Sequence, residues 1–155
     1  MGCSMQKTIV IGSDHAGFSM KTYLIHQLKQ QGFCIEDKGT YSEESVDFSP
    51  IAQLVAETVA DADSKMGILI CGTGIGMSIM ANKVPKIRAS LVHDLFSAKA
   101  TREHNNANVL CMGARVISSA MGWEIASIWL HTEFLGGKHE RRIQYIADYE
   151  ANKSK

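Results

Sequence analysis

The segment Met66-Gly-Ile-Leu-Ile-Cys-Gly-Thr-Gly-Ile-Gly76 decides the architecture of this chain. Its first half is a short apolar run of the kind that forms a buried strand. Its second half has three glycines in five positions, which predicts a tight turn whose amides open the next helix. Working outward, Lys7-Thr-Ile-Val-Ile-Gly12, Ile87-Arg-Ala-Ser-Leu-Val92 and Asn108-Val-Leu-Cys-Met-Gly113 repeat the strand pattern, and Phe33-Cys-Ile-Glu-Asp37 is a weaker fifth candidate at a sheet edge. Continuously apolar strands imply a sheet covered on both faces. Helical periodicity fills the intervals: Met20, Leu24 and Leu28 in the first, then Ile51, Leu54, Val55, Thr58, Val59 and Ala62, with Ser49 as a cap and Pro50 at the first helical position. Leu95 to Glu103, Ile117 to Trp129 and Arg142 to Glu150 also read as helices. Strand and helix alternate along the whole chain, which predicts an α/β fold: a three-layer sandwich around a five-stranded parallel, doubly wound sheet.

At 155 residues the chain has room for one domain, with residues 1–6 expected to be a flexible lead. Sixteen basic residues balance sixteen acidic ones, which argues against nucleic acid as a partner. The charge is unevenly spread, however. Residues 36–63 carry eight acids and one lysine, whereas Lys138-His-Glu-Arg-Arg142 is a basic cluster suited to a small anion. No apolar run is long enough to span a membrane, and the first residues lack the apolar core of a signal peptide. Cys3, Cys34, Cys71 and Cys111 are widely spaced and form no C-x-x-C pair, as expected for reduced thiols in the cytoplasm. Metal-ligand spacings are absent among the six histidines.

In doubly wound sheets ligands bind beyond the carboxyl ends of the strands, so the residues that follow each strand are the candidates. Gly72, Gly74, Ile75 and Gly76 can turn their amides onto an anion, and Cys71 beside them, at a helix start, is an environment that favours thiolate. It is the loop's only good base, because residues 66–87 contain no Asp or Glu. A dinucleotide fingerprint competes, with Asp94 about 20 residues on as its ribose acid, but Met77 stands where that fingerprint wants its third small residue. Asp14 and His15 follow the first strand, Arg115 follows the fifth, and His104 with Asn105 ends the fourth helix; all are expected to reach one crevice. Lys138 and Arg142, four apart on a helix, suit a phosphate clamp. His26, His93 and His131 are given structural parts, and Cys34 and Cys111 are read as inert core thiols.

Taken in order, Gly12-Ser-Asp-His-Ala-Gly-Phe18, Asp37-Lys-Gly-Thr40, Ile70-Cys-Gly-Thr-Gly-Ile-Gly76, Ala81-Asn-Lys83, Ile87-Arg-Ala89, Glu103-His-Asn-Asn-Ala-Asn-Val109, Gly113-Ala-Arg115 and Gly136-Gly-Lys-His-Glu-Arg-Arg142 resemble the type B ribose-5-phosphate isomerases and the related galactose-6-phosphate isomerase subunits. The resemblance implies a flavodoxin-like fold and cofactor-free interconversion of ribose 5-phosphate and ribulose 5-phosphate, a step of the pentose phosphate pathway. It also implies a homodimer with composite sites; whether such dimers pair into a tetramer is left open by the sequence, and a C-terminal helix over 138–155 is expected at the dimer interface. By the same resemblance Cys71 is the base, Thr73 lies near the reacting oxygens, the Gly72 to Gly76 amides hold the enediolate and His104 opens the ring. Asp14 and Asn105 hold hydroxyls, while His15, Arg115, Lys138, His139 and Arg142 bind phosphate. Two positions bear on that pattern. Lys138 replaces an expected Arg, giving a point charge for a planar fork. Met77 stands where a second branch carries a carboxylate base, which places the chain with the cysteine branch. A six-carbon phosphosugar remains the alternative substrate, and a nucleotide-binding module the alternative class.

Overall fold

The computed structural model describes residues 7–153. The expected lead over 1–6 and the last two residues of the expected C-terminal helix lie outside that range. Five parallel strands form the central sheet: β1 (Thr8–Ser13), β2 (Ile35–Asp37), β3 (Lys65–Cys71), β4 (Ala89–Leu91) and β5 (Val109–Gly113), in the order β2-β1-β3-β5-β4. All five predicted strands are present, and the weak fifth candidate is an edge strand. This is a flavodoxin-like sandwich in which the last two strands have exchanged places, so that three-residue β4 lies at the other edge.

The alternation of side chains along each strand divides the core. Ile9, Ile11, Ile68, Ile70, Leu110 and Met112 point to one face, where they pack against α1 (Phe18–Gln30), α4 (Leu95–Asn105) and α5 (Ser119–Leu130). Val10, Leu69, Cys71, Val109 and Cys111 point to the other, against α2 (Phe48–Ala60) and α3 (Ile75–Ala81). With both faces covered, no strand position between residues 66 and 71 can be polar without a buried partner, hence the unbroken apolar runs.

Three local expectations are corrected. Helix α2 starts at Phe48 with Asp47 as its N-cap residue, so Ser49 is not the cap and Pro50 is the third helical position. Proline is tolerated there because the first-turn amides have no intrahelical acceptor. The buried face of α2 is Ala52, Val55, Ala56 and Val59, with Leu54 exposed, because small residues are what allow the helix to approach the sheet closely. Cys34 is disulfide-bonded rather than a free core thiol. It is half-buried just before edge strand β2, where a sulfur is open to pairing, unlike fully buried Cys111.

Helix α6 (Lys138–Lys153) begins four residues earlier than its periodicity suggested. It has no buried residue and exposes Tyr145, Ile146 and Tyr149. Gly136 and Gly137, both at positive φ, turn the chain into it.

Candidate active site

The chain leaving β3 enters α3 on one face of the sheet, while β1 and β5 on either side lead into α1 and α5 on the other. A cleft therefore opens on both flanks of the β3 terminus, and Cys71 is its last residue. Cys71 is 5% exposed, at the rim of the core. Its Sγ accepts the Gly74 N–H at 3.1 Å, and Thr73 Oγ1 accepts the Ile75 N–H at 3.2 Å. Gly74 is the N-cap residue of α3 in the left-handed region, φ +78°, and a Cβ there would stand 2.7 Å from Leu91 Cδ1 and 2.8 Å from the Met112 carbonyl carbon. Only glycine can both turn the loop and fit beneath it. The amides of Gly76 and Met77 follow in the first turn of α3, with no intrahelical acceptor, and are free to face an anionic oxygen.

The neighbouring strand ends bring polar groups to this loop. Asp14, buried, donates its backbone N–H to the Ile70 carbonyl at 3.2 Å, and its Oδ1 accepts the Gly17 N–H at 3.1 Å. The adjacent ring of His15 accepts the Val46 N–H on Nδ1 at 3.2 Å, so its neutral form carries its proton on Nε2 as a donor. That loop is anchored from below: the buried Lys21 Nζ donates to Asp37 Oδ1 at 2.6 Å and to the Thr40 carbonyl at 2.5 Å. Beyond β5 the Arg115 side chain lies over Gly72, with Nη1 3.1 Å from where a Cβ would be. Asp14, His15, Arg115 and the 71–76 loop are thus together, as expected.

Asp94 is spoken for. Its carboxylate caps α4, accepting the Ser97 N–H at 2.7 Å and the Ser97 hydroxyl at 2.9 Å; these hydrogen bonds, the backbone one first, hold it below the usual carboxylate range. The dinucleotide reading loses its ribose acid. Cys111, behind Cys71 on the next strand, is fully buried, and burial, reinforced by the nearby Cys71, pushes its thiol well up, in keeping with an inert part.

The expectation that His104 and Asn105 reach the same crevice within one chain is corrected. Helix α4 runs back from the carboxyl end of β4 to the amino end of β5, and its 11 residues cover roughly 16 Å. His104 and Asn105 at its end therefore sit at the opposite pole from Cys71. The basic cluster joins them there: the rings of His104 and His139 stack with centroids 4.5 Å apart, and the Leu135 N–H donates to the Glu103 carbonyl at 3.2 Å, tying the approach to α6 against α4. Lys138, Arg142 and His104 are exposed, and the His139 imidazole is held below its ordinary range by desolvation first and then by His104, Lys138 and Arg142. The predicted residues thus fall into two groups, one at each pole.

A polar concavity of about 460 Å³ also lies at the amino pole, between Lys7, Lys65, Lys86, Arg88, Arg102, Asn106 and neighbours. Its guanidinium groups are struts. Arg88 Nε donates to the Asn106 carbonyl at 2.7 Å, and Arg102 Nη1 to the Ala107 carbonyl at 2.7 Å and to Asn106 Oδ1 at 2.9 Å, which ties down the turn leading into β5.

The chain belongs to the Ribose/Galactose Isomerase family, whose model matches residues 9–146, and is an isomerase with a thiol and glycine loop at the end of its central strand. It is 50% identical to the putative sugar phosphate isomerase YwlF of Bacillus subtilis (strain 168), across 92% of this chain and 96% of that one. It is 40% identical to ribose-5-phosphate isomerase B of Escherichia coli (strain K12), across 96% and 99%. Among solved structures, ribose-5-phosphate isomerase B from Mycoplasma genitalium with bound ribulose-5-phosphate superposes with a TM-score of 0.92 at 39% identity, covering 96% of this chain and 99% of that one. Among the described residues no helix is long and apolar enough to cross a membrane.

Proposed function

We propose that this protein interconverts ribose 5-phosphate and ribulose 5-phosphate, with Cys71 as the base, in sites completed by a second copy of the chain. The carrying observation is the Cys71 thiol at the head of a glycine loop, on a strand end flanked by two clefts, with its complementary acid–base and cationic residues grouped at the other pole of the same chain. A two-fold pair of chains sets one protomer's Cys71 pole against its partner's His104 pole, twice. The exposed apolar side chains of α6, on the pole that carries the basic cluster, are the surface such a pair would bury.

In that arrangement His15 and Arg115 hold the phosphate from one side, and the partner's Lys138, the partner's His139 and the partner's Arg142 from the other. Holding the phosphate spends remote binding energy on aligning the reacting carbons. The partner's His104 moves the ring proton that opens the furanose, while Asp14 and the partner's Asn105 hold hydroxyls. Cys71 thiolate then takes the proton from C2, leaving an enediolate whose negative oxygen meets Thr73 and the amides of the 72–76 loop; the hydroxyl proton on the C2 oxygen passes to the C1 oxygen, and Cys71 returns its own proton to C1. Atoms and charge balance without any added group. The reaction is expected in a spectroscopic assay of ribulose 5-phosphate formation, with Cys71→Ala lowering kcat by ~10²–10⁴-fold. Wild-type turnover in that variant would exclude the thiol, and no turnover of ribose 5-phosphate beside fast turnover of a six-carbon phosphosugar would reassign the substrate.

A further inference from the structure

His93, which its sequence setting assigned a structural part, is placed differently by its hydrogen bond. Along the β4–β5 edge the Val109 N–H donates to the Arg88 carbonyl at 3.4 Å and the Val92 N–H to the Cys111 carbonyl at 3.1 Å. The last paired residues are Leu91 and Cys111, after which β4 turns away. The Gly113 N–H then has no strand to donate to, and the His93 ring supplies the acceptor: Nε2 takes that amide at 2.8 Å.

Gly113 is the platform of the catalytic loop. A Cβ on it would lie 2.6 Å from the Thr73 carbonyl carbon and 2.7 Å from Thr73 Cα, so the Thr73 backbone rests directly on the glycine. The next two amides bind the same loop, Ala114 N–H to the Cys71 carbonyl at 2.9 Å and Arg115 N–H to the Gly72 carbonyl at 3.0 Å. Residues 71–73 are therefore fixed by residues 113–115, and His93 fixes the outer flank of Gly113. We propose that His93 is a positioning residue for the isomerisation: its neutral, Nδ1-protonated ring holds Gly113 in place, and through it Thr73 and the anion-holding loop.

This rests on the isomerase reading above. Protonation would put a proton on Nε2 and turn the acceptor into a donor facing a donor, which releases Gly113. The surroundings favour the neutral ring. Desolvation lowers its pKa, and Asp94 beside it only partly opposes this. Of the elements packed on β4, α3 carries no charged side chain and β5 only the buried thiol of Cys111.

The test follows backbone amides by ¹⁵N–¹H NMR on the full-length enzyme between about pH 5 and 8, beside steady-state kinetics. In the wild type the Gly113 and Thr73 amides should shift together with the His93 ring as it titrates. His93→Gln keeps an acceptor at the same reach without a proton to gain, so its amides should not follow pH in that way and kcat should stay close to wild type. His93→Ala should lose ~10-fold in kcat, the size of one lost bond to a buried donor, with KM little changed. A Gly113 amide indifferent to the His93 titration, or wild-type kcat in His93→Ala, would overturn the proposal. Absence of ribose 5-phosphate turnover in the wild type would instead reject the isomerase reading, while the amide titration still judged the contact.

Discussion

Residue by residue, the site depends on positions that admit no other side chain. Gly74 combines a positive φ with neighbours closer than 3 Å to a built Cβ, so Gly74→Ala must move the loop that directs the Gly74 amide at Cys71 Sγ. Loss of one donor to a developing oxyanion costs ~10²–10³-fold in kcat, and a displaced loop loses at least one, so Gly74→Ala should lower kcat by that much with a folded circular dichroism spectrum retained. The His93 and Asp94 pair carries the pH dependence of stability at this end of the sheet. Both have folded pKa values below their ordinary 6.5 and 3.8, so each contributes stability that is present above those values and lost as the pH falls through the folded ones, because the unfolded chain binds the proton first. Melting temperature should therefore fall as pH drops below about 6.5, and less so in His93→Gln; equal slopes in the two proteins would remove His93 from that dependence.

At the scale of elements, what was legible in the sequence was whatever burial imposes locally. Five apolar runs ending in small or polar residues gave five strands because a sheet covered on both faces accepts nothing else. The same logic picked out the strand-end residues Asp14, His15, Cys71 and Arg115 as candidates, and the fold places them at one pole. Helix starts were less legible: Ser49 and Pro50 look like a beginning, but Asp47 and Phe48 supply it, since an N-cap needs only an extended residue and its side chain makes no capping bond here. The use of His93 had no sequence signal, because it depends on where β4 stops beside β5. The ion pair that ties α1 to the loop after β2 was equally invisible, since Lys21 reads as a surface residue and is 1% exposed. Lys21→Met fills the same space but leaves the Thr40 carbonyl bare, at a cost of ~1–3 kcal/mol, while Asp37, one-third exposed, can turn to water. Urea unfolding should show that loss, and KM should rise because the loop that orients His15 through Val46 is freed; an unchanged KM would detach His15 from the anchor.

For the whole molecule the decisive fact is polarity along the strands. Parallel strands put every strand end, and so Cys71, at one pole; a helix returning from such an end must finish at the other, which is why His104 could not join Cys71 within one chain. The sequence listed both groups of candidate residues but not their separation, because the separation belongs to the direction of α4 rather than to any residue. The two-fold pairing proposed above would resolve it, and it makes a prediction that a complete site in one chain cannot share. Cys71→Ala and His104→Ala homodimers should each be nearly inactive, since every site in either lacks one group. After the two are mixed through partial denaturation and refolding, half the dimers are heterodimers, and each heterodimer has one site with both Cys71 and the partner's His104 intact. Roughly a quarter of wild-type activity should return, growing with subunit exchange. Tyr145→Glu combined with Ile146→Glu should block both the dimer, in sedimentation velocity, and the recovery, because charge on the exposed face of α6 cannot be buried. Inactivity of the mixed refolded sample, with heterodimers confirmed by native mass spectrometry, would mean that Cys71 and His104 do not serve the same site.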